Sequence, residues 1–220
     1  MSNESRPKRQ PSKAVKAVLW IAAAAMTLTL AFVAYLALPM LFGSAAGSSG
    51  QVTPEGFPAR VSATGEDGRT RTLSASAEDG SAIDLSALTP GDHVVVTGSG
   101  FDAGSGIYVA VCKVPDTPDT KPGPCLGGVP KLEPGQEPTP GSVDWAPANW
   151  INDDWAWKLF GARSFDDVEA GAFTAYVLIP SSADENVDCT VDVCGIFTRN
   201  DHTELENRVQ DIYLPVSFSK

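Results

Sequence analysis

At 220 residues, 43% hydrophobic and 20% charged, the chain is long enough for one extended apolar segment and one domain with a proper core. A net charge of −11 excludes an extended nucleic-acid-binding surface, because phosphate recognition needs an excess of Lys and Arg. With two histidines and no Gly-x-Ser-x-Gly turn, the inventory for catalysis is poor, and no enzyme activity is expected.

Residues 1–16 form a basic tail, with Arg6, Lys8, Arg9, Lys13 and Lys16 against the single acid Glu4. The next 26 residues, 17–42, carry no charge, and at about 1.5 Å per residue they exceed the roughly 30 Å hydrocarbon core of a bilayer. The positive-inside rule then predicts a single-pass protein of the cell membrane, its N-terminus cytoplasmic and everything after Phe42 extracytoplasmic. The alternative is a signal peptide cleaved near Ala46, in Ser44-Ala45-Ala46, releasing a secreted protein. The apolar run is far longer than the usual signal-peptide core, which favours a retained anchor.

Of the 16 basic and 27 acidic residues, 11 and 26 lie beyond residue 16, so the exported part carries −15. Such a field favours a solvated surface and repels nucleic acid and anionic lipid. Residues 43–57 open with glycine, serine and alanine only and predict a flexible linker. The extracytoplasmic domain spans 58–220.

Its segments rich in Val, Ile, Tyr and Phe alternate with clusters of Gly, Pro, Asp and Ser, the punctuation of an all-β fold. Strands are predicted at 59–63, 70–75, 93–97, 106–112, 172–179, 194–198 and 211–218, with a hairpin-like turn at Gly65-Glu66-Asp67-Gly68. His93 opens one strand, Tyr108 and Tyr213 lie on sheet faces, and Pro215 marks the last strand as an edge. Gly98, Gly100 and Gly104 do not have the spacing of a dinucleotide loop, and a strand follows them, so they predict a β-turn. Seven short strands with regular turn signals suit an immunoglobulin-like sandwich.

The order of residues also resembles a known family. Leu88-Thr89-Pro90-Gly91-Asp92 leads into Val94-Val95-Val96 and then Gly98-Ser99-Gly100-Phe101. Tyr108-Val109-Ala110-Val111-Cys112, Cys125, Val187-Asp188-Cys189-Thr190, Cys194 and a closing strand at 212–218 follow. Over about 70–125 and 172–218 the chain resembles the neocarzinostatin and macromomycin apoproteins, actinobacterial carriers of enediyne antibiotics. The resemblance implies an all-β, seven-stranded immunoglobulin-like sandwich with disulfides Cys112–Cys125 and Cys189–Cys194, although four cysteines allow three pairings. It also implies a ligand cleft beside Cys112–Cys125. A zinc site needs two close cysteine pairs, and the twelve residues between Cys112 and Cys125 fit it poorly. No metal and no bound cofactor are expected.

The chain departs from that family in its anchor, in an extra segment at about 51–69, and in an insertion at about 126–171. The insertion carries Trp145, Trp150, Trp155 and Trp157, four of the five tryptophans, followed by Phe160 and Phe165. Such rings either pack the insertion onto the sandwich or form a contact surface. His202, in the loop between the last two strands, is the other candidate binding residue. The paired acids, Asp153 and Asp154 among them, match no calcium loop and read as solvated turns. The expected function is a non-catalytic, membrane-anchored binding or assembly protein of the cell envelope, partnered by another envelope protein or a cell-wall component. The alternative is a carrier of a small hydrophobic ligand, haem or polyketide-like, in the cleft beside Cys112–Cys125.

Overall fold

Ser12 starts the first helix. Its backbone carbonyl accepts from Lys16 N–H at 3.1 Å, and its hydroxyl accepts from Val15 N–H at 3.4 Å. The computed structural model describes residues 12–42, 46–118, 120–128 and 144–219. The basic tail up to residue 11, the cleavage-site residues Ser44 and Ala45, and residues 129–143 of the insertion lie outside them. Helix α1 runs Lys13–Phe42, four residues earlier than the uncharged run, because the cap lies at Ser12. Its Lys13–Leu38 segment is long and apolar enough to cross a membrane. The Thr27 and Thr29 hydroxyls donate to the carbonyls of Ala23 and Ala25, so neither presents an unpaired donor to an apolar surrounding.

The rest of the chain is mostly β. In chain order it forms β1 (Ala46–Ser48), β2 (Arg60–Thr64), β3 (Thr70–Ala77), β4 (His93–Ser99), β5 (Ile107–Lys113) and β6 (Ala148–Ile151). A four-residue helix α2 (Trp155–Lys158) follows, then β7 (Phe173–Leu178), β8 (Cys194–Asn200), β9 (Asn207–Arg208) and β10 (Tyr213–Val216). All seven predicted strands are present, and β1, β6 and β9 add to them.

Two four-stranded antiparallel sheets, ordered β2-β3-β4-β7 and β10-β8-β5-β6, face one another, and a short parallel pair, β1-β9, stands beside them. The period-two pattern decides which side chains meet. Val94, Val96, Ala175 and Val177 point inward from one sheet and Ile107, Val109, Val111, Ile196 and Leu214 from the other, all of them fully buried in one core. His93 and Tyr176 from the first sheet, and Tyr108, Ala110 and Cys112 from the second, therefore belong to the outer faces.

Both lateral edges are closed by amide side chains that imitate a strand. Gln51 donates from Nε2 to the Tyr213 carbonyl at 2.7 Å and accepts Tyr213 N–H at 2.8 Å, covering the edge strand that carries Pro215. Asn149 does the same to Tyr176, donating at 2.9 Å and accepting at 3.1 Å. Residues 43–57, expected as a flexible linker, are not one throughout. Ala46 pairs with Asn207, Ser48 accepts from Glu66 N–H, and Gln51 is held on β10. Backbone groups of Ala46 and Ser48 and the Gln51 amide find partners on the domain, which the composition alone did not reveal.

Both disulfides, Cys112–Cys125 and Cys189–Cys194, are formed, and no free cysteine is present among the described residues. The first folds the loop after β5 back along that strand, where Leu126 N–H donates to Val111 and Lys113 N–H to Pro124. The second closes the turn before β8. Lys113 joins the two crosslinked loops by an ion pair to Asp192 at 2.6 Å.

Candidate functional site

Strand register creates a row of large side chains across the outer face of the β10-β8-β5-β6 sheet. Tyr108 on β5 stands opposite Trp150 on β6 and opposite Arg199 on β8. The Tyr108 and Trp150 rings lie 5.9 Å apart, and the Arg199 guanidinium sits 5.7 Å from the Tyr108 centroid. The loop leaving β8 then folds over the row. His202 Nδ1 and the Tyr108 hydroxyl share a 2.9 Å hydrogen bond, and Trp150 packs against the imidazole with centroids 5.2 Å apart. Trp157, from α2, meets the same imidazole edge-on at 4.6 Å.

Asp201 holds this arrangement from beneath. Its Oδ2 accepts from Trp150 Nε1 at 2.8 Å and from Asn152 Nδ2 at 2.9 Å, while Oδ1 accepts from the Thr203 N–H and hydroxyl. The carboxylate fits only because residue 106 is glycine: a Cβ at Gly106 would overlap both Asp201 and the Asn152 amide.

Burial raises the Tyr108 phenol to about 12, helped by the Asp201 carboxylate and opposed by Arg199. Burial also pushes His202 below its ordinary range, with Lys121 adding to the effect and Asp201 opposing it. The pair therefore consists of a protonated phenol and a neutral imidazole near pH 7, which suits hydrogen bonding and stacking rather than proton transfer.

Charges continue the row. Arg208 pairs with Asp211 at 2.7 Å, both side chains nearly inaccessible, and burial lifts the Asp211 carboxyl to about 6 against the pull of Arg208. Asp211 Oδ1 and Arg199 Nε are buried with no hydrogen-bond partner among the described residues. Burial and the two arginines lower Lys121.

The four tryptophans of the insertion do not form one cluster. Trp145 lies on the other sheet, stacked on His93 at 4.1 Å and 10° and edge-on to Tyr176 at 5.3 Å. His93 is hydrogen-bonded in turn to Glu78. The division has a simple origin. Ala146 hydrogen-bonds to Tyr176 and Leu178 on β7, whereas Ala148 pairs with Ala110 on β5, so the chain changes sheets across Pro147.

Beyond β6, Asp154 caps α2 by accepting Ala156 N–H at 2.8 Å, and Asp153 accepts from Phe165 N–H and from Lys158. These acids brace the turn instead of being solvated. With Ala156 buried beneath, the turn projects Trp155, Leu159 and Phe160 outward at 60%, 69% and 55% exposure. It is a projecting, apolar part of the insertion.

Away from this face, an acidic cleft of about 360 Å³ is lined by Glu66, Asp67, Asp102 and Glu204. The fully buried Arg71 spans Asp67 and Gln210 at its side. No trio of His, Cys, Asp or Glu with metal-binding placement occurs among the described residues. Sequence reasoning missed Asp201, Arg199, Arg208 and Asp211. The one available signal was adjacency: Asp201 precedes the candidate His202. No family model, no curated protein and no solved structure matches this chain.

Proposed function

We propose that the chain is a membrane-anchored, non-catalytic binding or assembly protein of the cell envelope, displaying an immunoglobulin-like domain of the neocarzinostatin kind. The sheet orders support the domain reading. With β2 counted as an added edge strand, β3, β4 and β7 oppose β10, β8, β5 and β6, a division of seven strands that suits that fold. The uncharged run 17–42 within α1, the five basic residues before Ala17 and the two disulfides support an anchor with the domain outside.

The observation that carries a binding role is the projecting turn. The insertion buries Trp150, stacks Trp145 on His93, and carries Trp155, Leu159 and Phe160 largely exposed on a braced knuckle. A projecting apolar surface suits a large partner and cannot enclose a small one. The carrier alternative needs a cleft beside Cys112–Cys125. Ala110, Cys112, Ala148, Phe197 and Tyr213, the side chains that face outward there, are buried and packed with Val114 and Cys125. A planar ligand has to displace that packing.

Because all four cysteines are crosslinked, an introduced thiol is the only reactive one among the described residues. Leu159→Cys should be shielded from a membrane-impermeant maleimide in intact cells, while Val191→Cys, 82% exposed in the turn closed by Cys189–Cys194, is labelled readily. Equal labelling of the two sites would sink the contact-surface reading. Saturable, one-to-one quenching of tryptophan by haem or a planar polyketide, lost in Trp157→Phe, would replace it with the carrier.

A further inference from the structure

The turn of α2 sits at a defined end of the sandwich. β6 leads into it, and Ile151, the last residue of β6, is in register with Ile107, which is in register with Asn200 at the end of β8. Trp157 of the turn packs on His202 just beyond β8. From the same end the chain goes on to β9, whose Asn207 accepts from Asn200 Nδ2 at its carbonyl and pairs with Ala46 of β1. The polypeptide therefore enters the domain at the end where the turn projects.

Covalent reach turns that placement into a constraint. Only residues 43–45 separate the end of α1 from the start of β1, and four residue steps span at most about 14 Å. The 26 uncharged residues measure about 39 Å as a helix, so with Lys16 at the inner interface Phe42 reaches the outer headgroups. The start of β1 is thus no more than about 14 Å of chain from the end of α1.

The three projecting side chains have the chemistry of that layer. An indole combines a large apolar ring with an N–H donor and concentrates at the membrane–water interface, and Leu and Phe beside it supply area for the acyl boundary. Electrostatics do not assist: the domain is strongly acidic, and Lys158 is already paired with Asp153.

We infer that the knuckle formed by Trp155, Leu159 and Phe160 is an interfacial contact with the outer leaflet of the membrane that α1 spans, seated by apolar insertion without any need for anionic lipid. The inference rests on the reading of α1 as a retained anchor and of this turn as the contact surface. It fixes the partner as the lipid surface itself.

The test uses the full chain with Leu159→Cys carrying an environment-sensitive NBD fluorophore, reconstituted in phosphatidylcholine vesicles. Emission at position 159 should be blue-shifted and should be lost strongly when the vesicles contain a nitroxide near the headgroup. A nitroxide deep in the acyl chain should quench less, since such elements seat about 5–10 Å into the boundary. High salt should leave the effect unchanged. The same fluorophore at Val191→Cys should resist quenching, and adding Trp155→Ser with Phe160→Ser should abolish quenching at 159. If positions 159 and 191 behave alike in vesicles, the inference is overturned. Shielding of 159 in intact cells would then assign the turn to an envelope macromolecule. The intact mass of membrane-extracted protein reports the anchor separately. A chain starting beyond residue 42 refutes the anchor, and the inference with it.

Discussion

Asp201 accepts four hydrogen bonds with two carboxylate oxygens, and two of the donors, from Trp150 and Asn152, have no other partner among the described residues. Replacing it by Ala strands both, at a cost of about 2–4 kcal/mol of stability read by urea unfolding. Gly106→Ala attacks the same contact from the opposite side and should cost about 1–3 kcal/mol, since the new methyl displaces the carboxylate. The two losses should not add when combined, because each removes the same interaction. Unchanged stability in Gly106→Ala would mean that the carboxylate is not seated there. Asp211 gives a pH-dependent counterpart. Its folded value of about 6 stands above the ordinary value near 3.9, so between those limits the folded chain holds a proton that the unfolded chain has released. The stability this group contributes is complete below pH 4 and is lost as pH rises through about 6. His202, held neutral by burial, tilts the profile the other way, so the quantity to read is the difference between wild type and Asp211→Asn. That difference should move in favour of the variant from pH 4 to pH 6 in a series of thermal melts. A difference that is flat or reversed contradicts the burial of the group.

At the scale of elements, legibility followed the strength of local periodicity. The Val94–Val96 run is β-branched and alternates in exposure, the segment from Ile107 to Cys112 is a short apolar run, and both are bounded by turn residues, so sequence alone placed them within a residue or two. β6 was missed because its four residues sit among prolines and acids and are too few to show a period. Its strand state comes from register with β5 and from the Asn149 amide, both long-range. β1 and β9 were missed for the same reason, since three small residues become a strand only by meeting Asn207 and Arg208. The tryptophans were visible as a group, but their division was not. A crossing between sheets at Pro147 sends Trp145 to one outer face and Trp150 to the other, and no local pattern encodes such a crossing. The Cys-x4-Cys pairing was legible through resemblance, whereas the charged row through Arg199 and Asp211 needed the register between β8 and the approach to β10.

For the whole molecule, the proposed lipid contact depends on the short connection between α1 and β1. If α1 is a retained anchor, three residues are all the chain between it and β1, and the α2 turn would meet lipid at a high effective concentration even with a small affinity of its own. Three apolar side chains without electrostatic help make a weak site, comparable to a single lipid chain that binds a membrane only reversibly. A Gly/Ser spacer of about 20 residues inserted between Phe42 and Ala46 should reveal that dependence. Its root-mean-square span of about 25 Å lets the domain move away from the surface, and the turn's effective concentration falls with the volume it explores. Quenching of the position 159 fluorophore should drop substantially, while the thermal unfolding of the domain stays where it was, because β1 still pairs with β9. Quenching that persists through the spacer would mean that the turn binds lipid by its own affinity. The three-residue connection would then not be what brings them together, and the domain released from its anchor should still bind vesicles. Loss of quenching with the fold intact would identify chain length as the feature that converts a modest apolar knuckle into a stable membrane contact.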